Sequence, residues 1–142
     1  MKYRFRDYQD SDYEKVMELW ESTGLSNPQR GDNKALIRKT LNMGGHLVVM
    51  ESKSGEPIGT SWITNDGRRL YLHHFGIKPG YQGKGLSKPL LEKSLEIAKK
   101  EQMQIKLEVH KDNEAALKLY KRYGFGYLGD YLVFIVRDVN KV

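Results

Sequence analysis

The chain contains no cysteine. That absence excludes disulfides, thiolate zinc sites and a cysteine nucleophile, while leaving the redox compartment open. It also lacks any apolar run near the roughly 20 residues a membrane-spanning helix requires, so no membrane partner is expected. There is no internal repeat, low-complexity tract or interdomain linker, and 142 residues suit one domain burying about two thirds of the surface its unfolded form exposes. The opening MKYRFRD alternates like a strand with no apolar signal core behind it. A chain without an export signal, resident in the cytoplasm, is the expectation. Basic charge is present but not gathered: 24 Lys and Arg against 18 Asp and Glu give +6, which favours polyanionic partners without choosing among them. No aromatic stacking motif or recognition helix accompanies the scattered cations, so no specific nucleic-acid partner is expected.

The most informative stretch that is present is FGIKPGYQGKGLS at 75–87, an apolar strand joined to a helix through a glycine-rich turn. Gly83 and Gly85 remove side chains that would keep a ligand off the backbone, and the helix start offers unpaired N–H groups and a positive dipole end. The spacing satisfies neither the dinucleotide fingerprint nor the nucleoside-triphosphate loop. It resembles the acyl-CoA signature Q/R-x-x-G-x-G/A of the GCN5-related N-acetyltransferase (GNAT) superfamily, with Ser87 where relatives usually carry Gly or Ala. The resemblance implies that Gln82, Gly83, Lys84, Gly85, Leu86 and Ser87 bind the pyrophosphate of acetyl-CoA and that Phe75, Gly76 and Ile77 pair with its pantetheine arm.

Element spacing extends the resemblance over nearly the whole chain. Strands are expected at 2–7, 46–51, 57–64, 69–77 and 104–109, helices at 10–22, 33–43, 86–101 and 113–123, and one or two closing strands at 125–137. The strand, helix and strand over 69–109 make a parallel crossover and the others come in hairpin order. The fold class is therefore α/β (α+β), with a mixed central sheet of six or seven strands flanked by about four helices, as in the GNAT fold. A monomer or a homodimer is expected, the closing strands offering an edge.

The segment LEVHKDNEAALKLYKRYGF at 107–125 is the more specific signal, similar to the family's L-x-V-x-x-x-N-x-x-A-x-x-L-Y-x-x-x-G-F pattern. Spacing alone reads Tyr120 as a core residue of an amphipathic helix. The resemblance instead puts Asn113 against the CoA arm and the Tyr120 hydroxyl near the sulfur. Amide formation from a thioester requires an amine freed of its proton, an opposed oxyanion and a proton for the thiolate. Backbone N–H groups from a strand bulge around Phe75–Ile77 suit the oxyanion and Tyr120 suits the acid.

Two residues compete as base. The LEV arrangement with Glu108 twelve residues before Tyr120 resembles the ribosomal-protein N-terminal (RimI-like) acetyltransferase branch, in which a glutamate and a tyrosine so placed serve as base and acid. His73 stands where many relatives carry a glutamate, and an imidazole can take a proton near neutrality. Strand alternation sends His73 and neighbouring His74 to opposite faces unless a bulge intervenes. His73, His74, Glu108 and His110 have no metal-ligand spacing, and no metal is expected.

The resemblance implies an amine acceptor, a protein N-terminus or a small molecule. The loop and helices over 20–45, with Glu21 and Asp32 as possible attractors of a cation, are where the resemblance puts its selection. A non-catalytic acyl-CoA-binding module on the same fold is the competing reading.

Overall fold

The computed structural model describes residues 2–142. Strand β1 (Tyr3–Asp7) and a 3-10 turn (Asp10–Asp12) lead into α1 (Tyr13–Ser22), a second 3-10 turn (Pro28–Arg30) and α2 (Lys34–Asn42). Strands β2 (His46–Ser52), β3 (Pro57–Asn65) and β4 (Leu70–Ile77) follow, then α3 (Ser87–Glu101), β5 (Ile105–Leu107) and α4 (Glu114–Arg122). The sheet runs β1-β2-β3-β4-β5, antiparallel except for the parallel β4–β5 pair across the α3 crossover.

Apolar periodicity decides which face each helix covers. In α1, Val16, Leu19 and Trp20 recur at helical spacing and bury against Ile37 of α2 and Leu47, Val49 and Trp62 of the sheet. On the other face, α3 buries Leu90, Leu91 and Ala98 against β2, β3 and β4. Each fully buried leucine contributes about 1.5–3 kcal/mol over its exposed state. Polar pins fix the helices in position. The Trp62 indole donates to Thr40 Oγ1 of α2 at 2.9 Å, and the Ser61 and Ser94 hydroxyls join β3 to α3 at 2.7 Å. Beneath the β1 edge, Arg6 grips Asp12 at 2.7 and 2.8 Å and Glu51 at 2.6 Å, with Arg4 also paired to Glu51. These arginines hold the Asp12 and Glu51 carboxyls below their usual range.

Three expectations change. The sheet has five strands among the described residues, because 125–137 forms no strand. β5 is only three residues long and the chain leaves it through a turn closed by Asn113 N–H to His110 O at 3.0 Å, so little edge remains to pair with. The closing segment instead turns at Leu128–Tyr131 and Arg137 donates to the Gln29 carbonyl, with Phe134 86% exposed. The strand expected at 104–109 ends at Leu107, placing Glu108 and Val109 beyond it. Helix α4 begins after Asn113, whose side chain caps it by accepting from Ala116 N–H. Among the described residues, no helix is long and apolar enough to cross a membrane.

Candidate active site

Residues Trp62 and Thr60 of β3 pair with His73 and Gly76 of β4, so Ser61 alone opposes His74 and Phe75. This is a β-bulge, with His74 at φ 44°. It lies one residue earlier than Phe75–Ile77, because the extra residue is His74. A left-handed backbone at a non-glycine residue costs about 1–3 kcal/mol. Buried contacts hold it: the Thr60 hydroxyl donates to the His74 carbonyl at 2.8 Å while accepting from the Trp20 indole at 2.8 Å.

The bulge resets the alternation of side chains. His73 and His74 both turn to the α1–α2 face, their rings 6.1 and 5.2 Å from Trp62. Phe75 turns to the opposite face and meets Tyr120 of α4 edge-on at 6.0 Å. Because β4 and β5 pair only over Leu70–Leu72 and Ile105–Leu107, the strands are unbonded from the bulge onward. Phe75, Gly76 and Ile77 therefore form one wall of a parting whose other wall is the 108–113 turn and α4.

At the end of β4 the glycine turn is open. Gly83 and Gly85 both have φ 76°, which disfavours other residues, and a Cβ at either would meet no atom within 4 Å. The space before α3 is thus free for a ligand. The backbone N–H groups of that first turn have no intrahelical acceptor, and Pro89, which has no N–H, sits there without loss. The Gln82 side chain folds back to donate to Ile77 O at 2.8 Å, bracing the turn against β4. Leu86 is buried in the core, Lys84 lies over the Tyr81 ring, and Ser87 starts α3. This cradle suits a pyrophosphate.

Groups able to move protons stand on both sides of the parting. Burial among Phe75 and Phe125 pushes the Tyr120 phenol up to about 12, so it keeps its proton at neutral pH. Glu108 is exposed on the α1–α2 side, beside Tyr71. Burial first, and then that carboxylate, raise the Tyr71 phenol above its ordinary range. His73 stacks on Tyr71 at 4.3 Å and shares a 2.9 Å hydrogen bond with Thr64. Burial and then neighbouring His74 depress its imidazole to about 4. Among the described residues there is no cluster of three His, Asp or Glu suited to a metal ion.

The structure thus gathers Phe75, Gly76, Ile77 and Tyr120 at the parting and Gln82–Ser87 at its end. Asn113 serves as the α4 cap. Sequence reasoning missed the pairing of His74 with Asp32, whose Nε2 and Oδ2 lie 3.2 Å apart. Two adjacent histidines in an otherwise apolar strand were the available signal for a bulge that re-aims one of them.

The chain matches the Acetyltransferase (GNAT) family model over residues 5–125. Solved structures of similar fold include a GNAT-family acetyltransferase from Staphylococcus aureus (20% identity, 92% of this chain and 89% of that one, TM-score 0.80). Another is the ribosomal-protein-S18-alanine N-acetyltransferase of Escherichia coli (18% identity, 88% and 78% covered, TM-score 0.75). A third is a Clostridium acetobutylicum acetyltransferase described with acetyl-CoA (17% identity, 94% and 96% covered, TM-score 0.73).

Proposed function

The chain belongs to the acetyltransferase (GNAT) family, and on that premise we propose that it is an acetyl-CoA-dependent N-acetyltransferase acting on a primary amine, with a protein or peptide N-terminus as the acceptor. The observation that carries this reading is the alignment of the β4 bulge, the β4–β5 parting and the glycine cradle, with the Tyr120 ring against the same wall. Bound acetyl-CoA would supply the acetyl group as a thioester, its pyrophosphate held by the backbone of Gln82–Ser87 and its arm by Phe75–Ile77.

The two faces of the parting divide the proton work. Glu108, on the α1–α2 side, takes the proton of the incoming ammonium, directly or through water. The freed nitrogen bonds to the acetyl carbon, backbone N–H groups at the bulge oppose charge on the carbonyl oxygen, the nitrogen releases its second proton to solvent, and the carbon–sulfur bond breaks. Tyr120, from the α3–α4 side, gives its proton to the departing sulfur and regains one from solvent. His73, on the same face, is the alternative base; Glu108 is preferred on the resemblance around Leu107–Val109 and its interval to Tyr120, while the His73 ring is held by Thr64 and Tyr71.

The S18-alanine acetyltransferase of similar fold supports a polypeptide N-terminus as acceptor. A second reading, a small-molecule amine, is favoured by the Asp32 and His74 pairing over the bulge. A cytoplasmic location and a monomeric or homodimeric state belong to the same proposal. The test supplies acetyl-CoA with N-terminal peptides and small amines, reading thiol release and acetylated product by mass spectrometry. Amine-dependent release is expected. Acetyl-CoA binding without release for any amine would replace the enzyme by an acyl-CoA-binding module.

A further inference from the structure

The loop between α1 and α2 ends on a carboxylate with no capping duty. Asn27 caps the 3-10 turn by accepting from Gln29 N–H at 2.9 Å, and Asn33 caps α2 by accepting from Leu36 N–H at 2.8 Å. Between them Gly31, at φ 71°, turns the chain so that Asp32 faces the bulge. The Asp32 side chain is 18% exposed and accepts no hydrogen bond from the described residues. Its near neighbour is His74 Nε2 at 3.2 Å, in contact but misaligned for a hydrogen bond.

His74 is itself unusual. It is 8% exposed, its ring lies 4.3 Å from Trp20 and 5.2 Å from Trp62, and neither ring nitrogen has a hydrogen-bond partner. A buried, unpartnered imidazole costs about 1–3 kcal/mol in lost hydrogen bonding, in addition to the strained backbone at the same residue. Both costs fall at the point where β4 opens. Gly76 lies just beyond, and a Cβ there would come within 3.0 Å of Leu25 of the same loop, so the loop sits directly on the opening.

We propose that Asp32 anchors the ammonium group of the acceptor at the bulge, and that His74 is a positioning residue holding the Asp32 carboxylate over the opening. The inference rests on the acetyltransferase reading and deepens it by naming the acceptor site. The site takes a primary ammonium on a slender body: Asp32 supplies the opposite charge, and Leu25, packed against Gly76, limits the width beside it. Among the described residues Arg30 forms no ion pair with Asp32; its guanidinium donates to the Leu25 carbonyl at 3.0 Å. Glu108 lies just past the end of β5, so anchoring and proton removal fall to different carboxylates.

The test first establishes amine-dependent turnover in the wild-type protein and selects its best amine. Absence of turnover with every amine would defeat the acetyltransferase reading itself. With turnover in hand, Asp32→Asn should raise the KM for that amine roughly 10- to 100-fold, as expected for loss of a charged hydrogen bond. Acetyl-CoA affinity should stay within twofold, and Asp32→Glu should recover part of the loss. The N-methyl analogue of the amine, which keeps the charge and two N–H donors at little added width, should inhibit the wild type competitively and lose inhibition in Asp32→Asn. His74→Phe keeps a ring between the tryptophans and removes the nitrogens facing Asp32, so it should raise KM with little change in kcat. An unchanged KM and unchanged inhibition in folded Asp32→Asn would overturn the proposal. A fall in kcat alone would also overturn the anchor and make Asp32 part of proton removal.

Discussion

Replacing Gly85 with aspartate separates a ligand cradle from an ordinary tight turn. At φ 76° a non-glycine residue pays about 1–2 kcal/mol of backbone strain. An added Cβ meets no protein atom within 4 Å, so no packing penalty joins the strain. For a domain of this size such a loss lowers Tm by roughly 2–8 °C, leaving a folded protein. Ligand binding faces a different sum. A carboxylate about 4 Å from one phosphate charge is repelled by about 1–4 kcal/mol at effective dielectrics between water and a protein surface. Acetyl-CoA affinity should therefore fall at least about fivefold, and less at high salt. Titration calorimetry with acetyl-CoA, alongside a thermal melt, reads both quantities. Gly67→Asp is the matched control, since that glycine also has positive φ and open space but lies in the β3–β4 turn. Folded Gly85→Asp that binds acetyl-CoA as tightly as Gly67→Asp would refute the cradle.

Tyr120→Phe removes a hydroxyl and leaves the ring against Phe75 and Phe125, so turnover should drop about 10- to 10⁴-fold with acetyl-CoA affinity nearly constant; a rate within twofold of wild type makes Tyr120 a packing residue only. Glu108→Gln should lower turnover and alter the acidic limb of the rate–pH profile, whereas His73→Gln should leave both, and the opposite pattern would move the base onto β4. His73 also predicts a stability slope. Its imidazole is depressed to about 4 in the folded chain, so the unfolded chain binds the proton first and stability falls as pH drops from about 6.5 toward 4. Denaturant melts across that range should show a shallower slope in His73→Gln. Arg6→Met strands the nearly buried Glu51 and Asp12 carboxylates with part of their pairing gone, and should cost about 3–5 kcal/mol by urea denaturation; a loss below 1 kcal/mol would show that Arg4 and solvent suffice.

Local signals determined much of this protein. Helical periodicity placed Val16, Leu19 and Trp20 on one buried face, and two glycines before an amphipathic helix marked the cradle, because both depend on neighbours a few residues apart. The pattern around Asn113 and Tyr120 likewise marked α4 before its packing was known. Other outcomes needed the whole fold. The bulge arises only when Ser61 must face two residues of β4, and it sends both histidines to one face, against simple alternation. The depressed His73 imidazole and the Asp32–His74 contact follow from burial and from a loop brought across the sheet. The closing residues 125–137 have strand-like composition, yet a strand needs an edge to bond. Three-residue β5, released from β4 at Leu107, offers little edge, so composition alone could not decide their pairing.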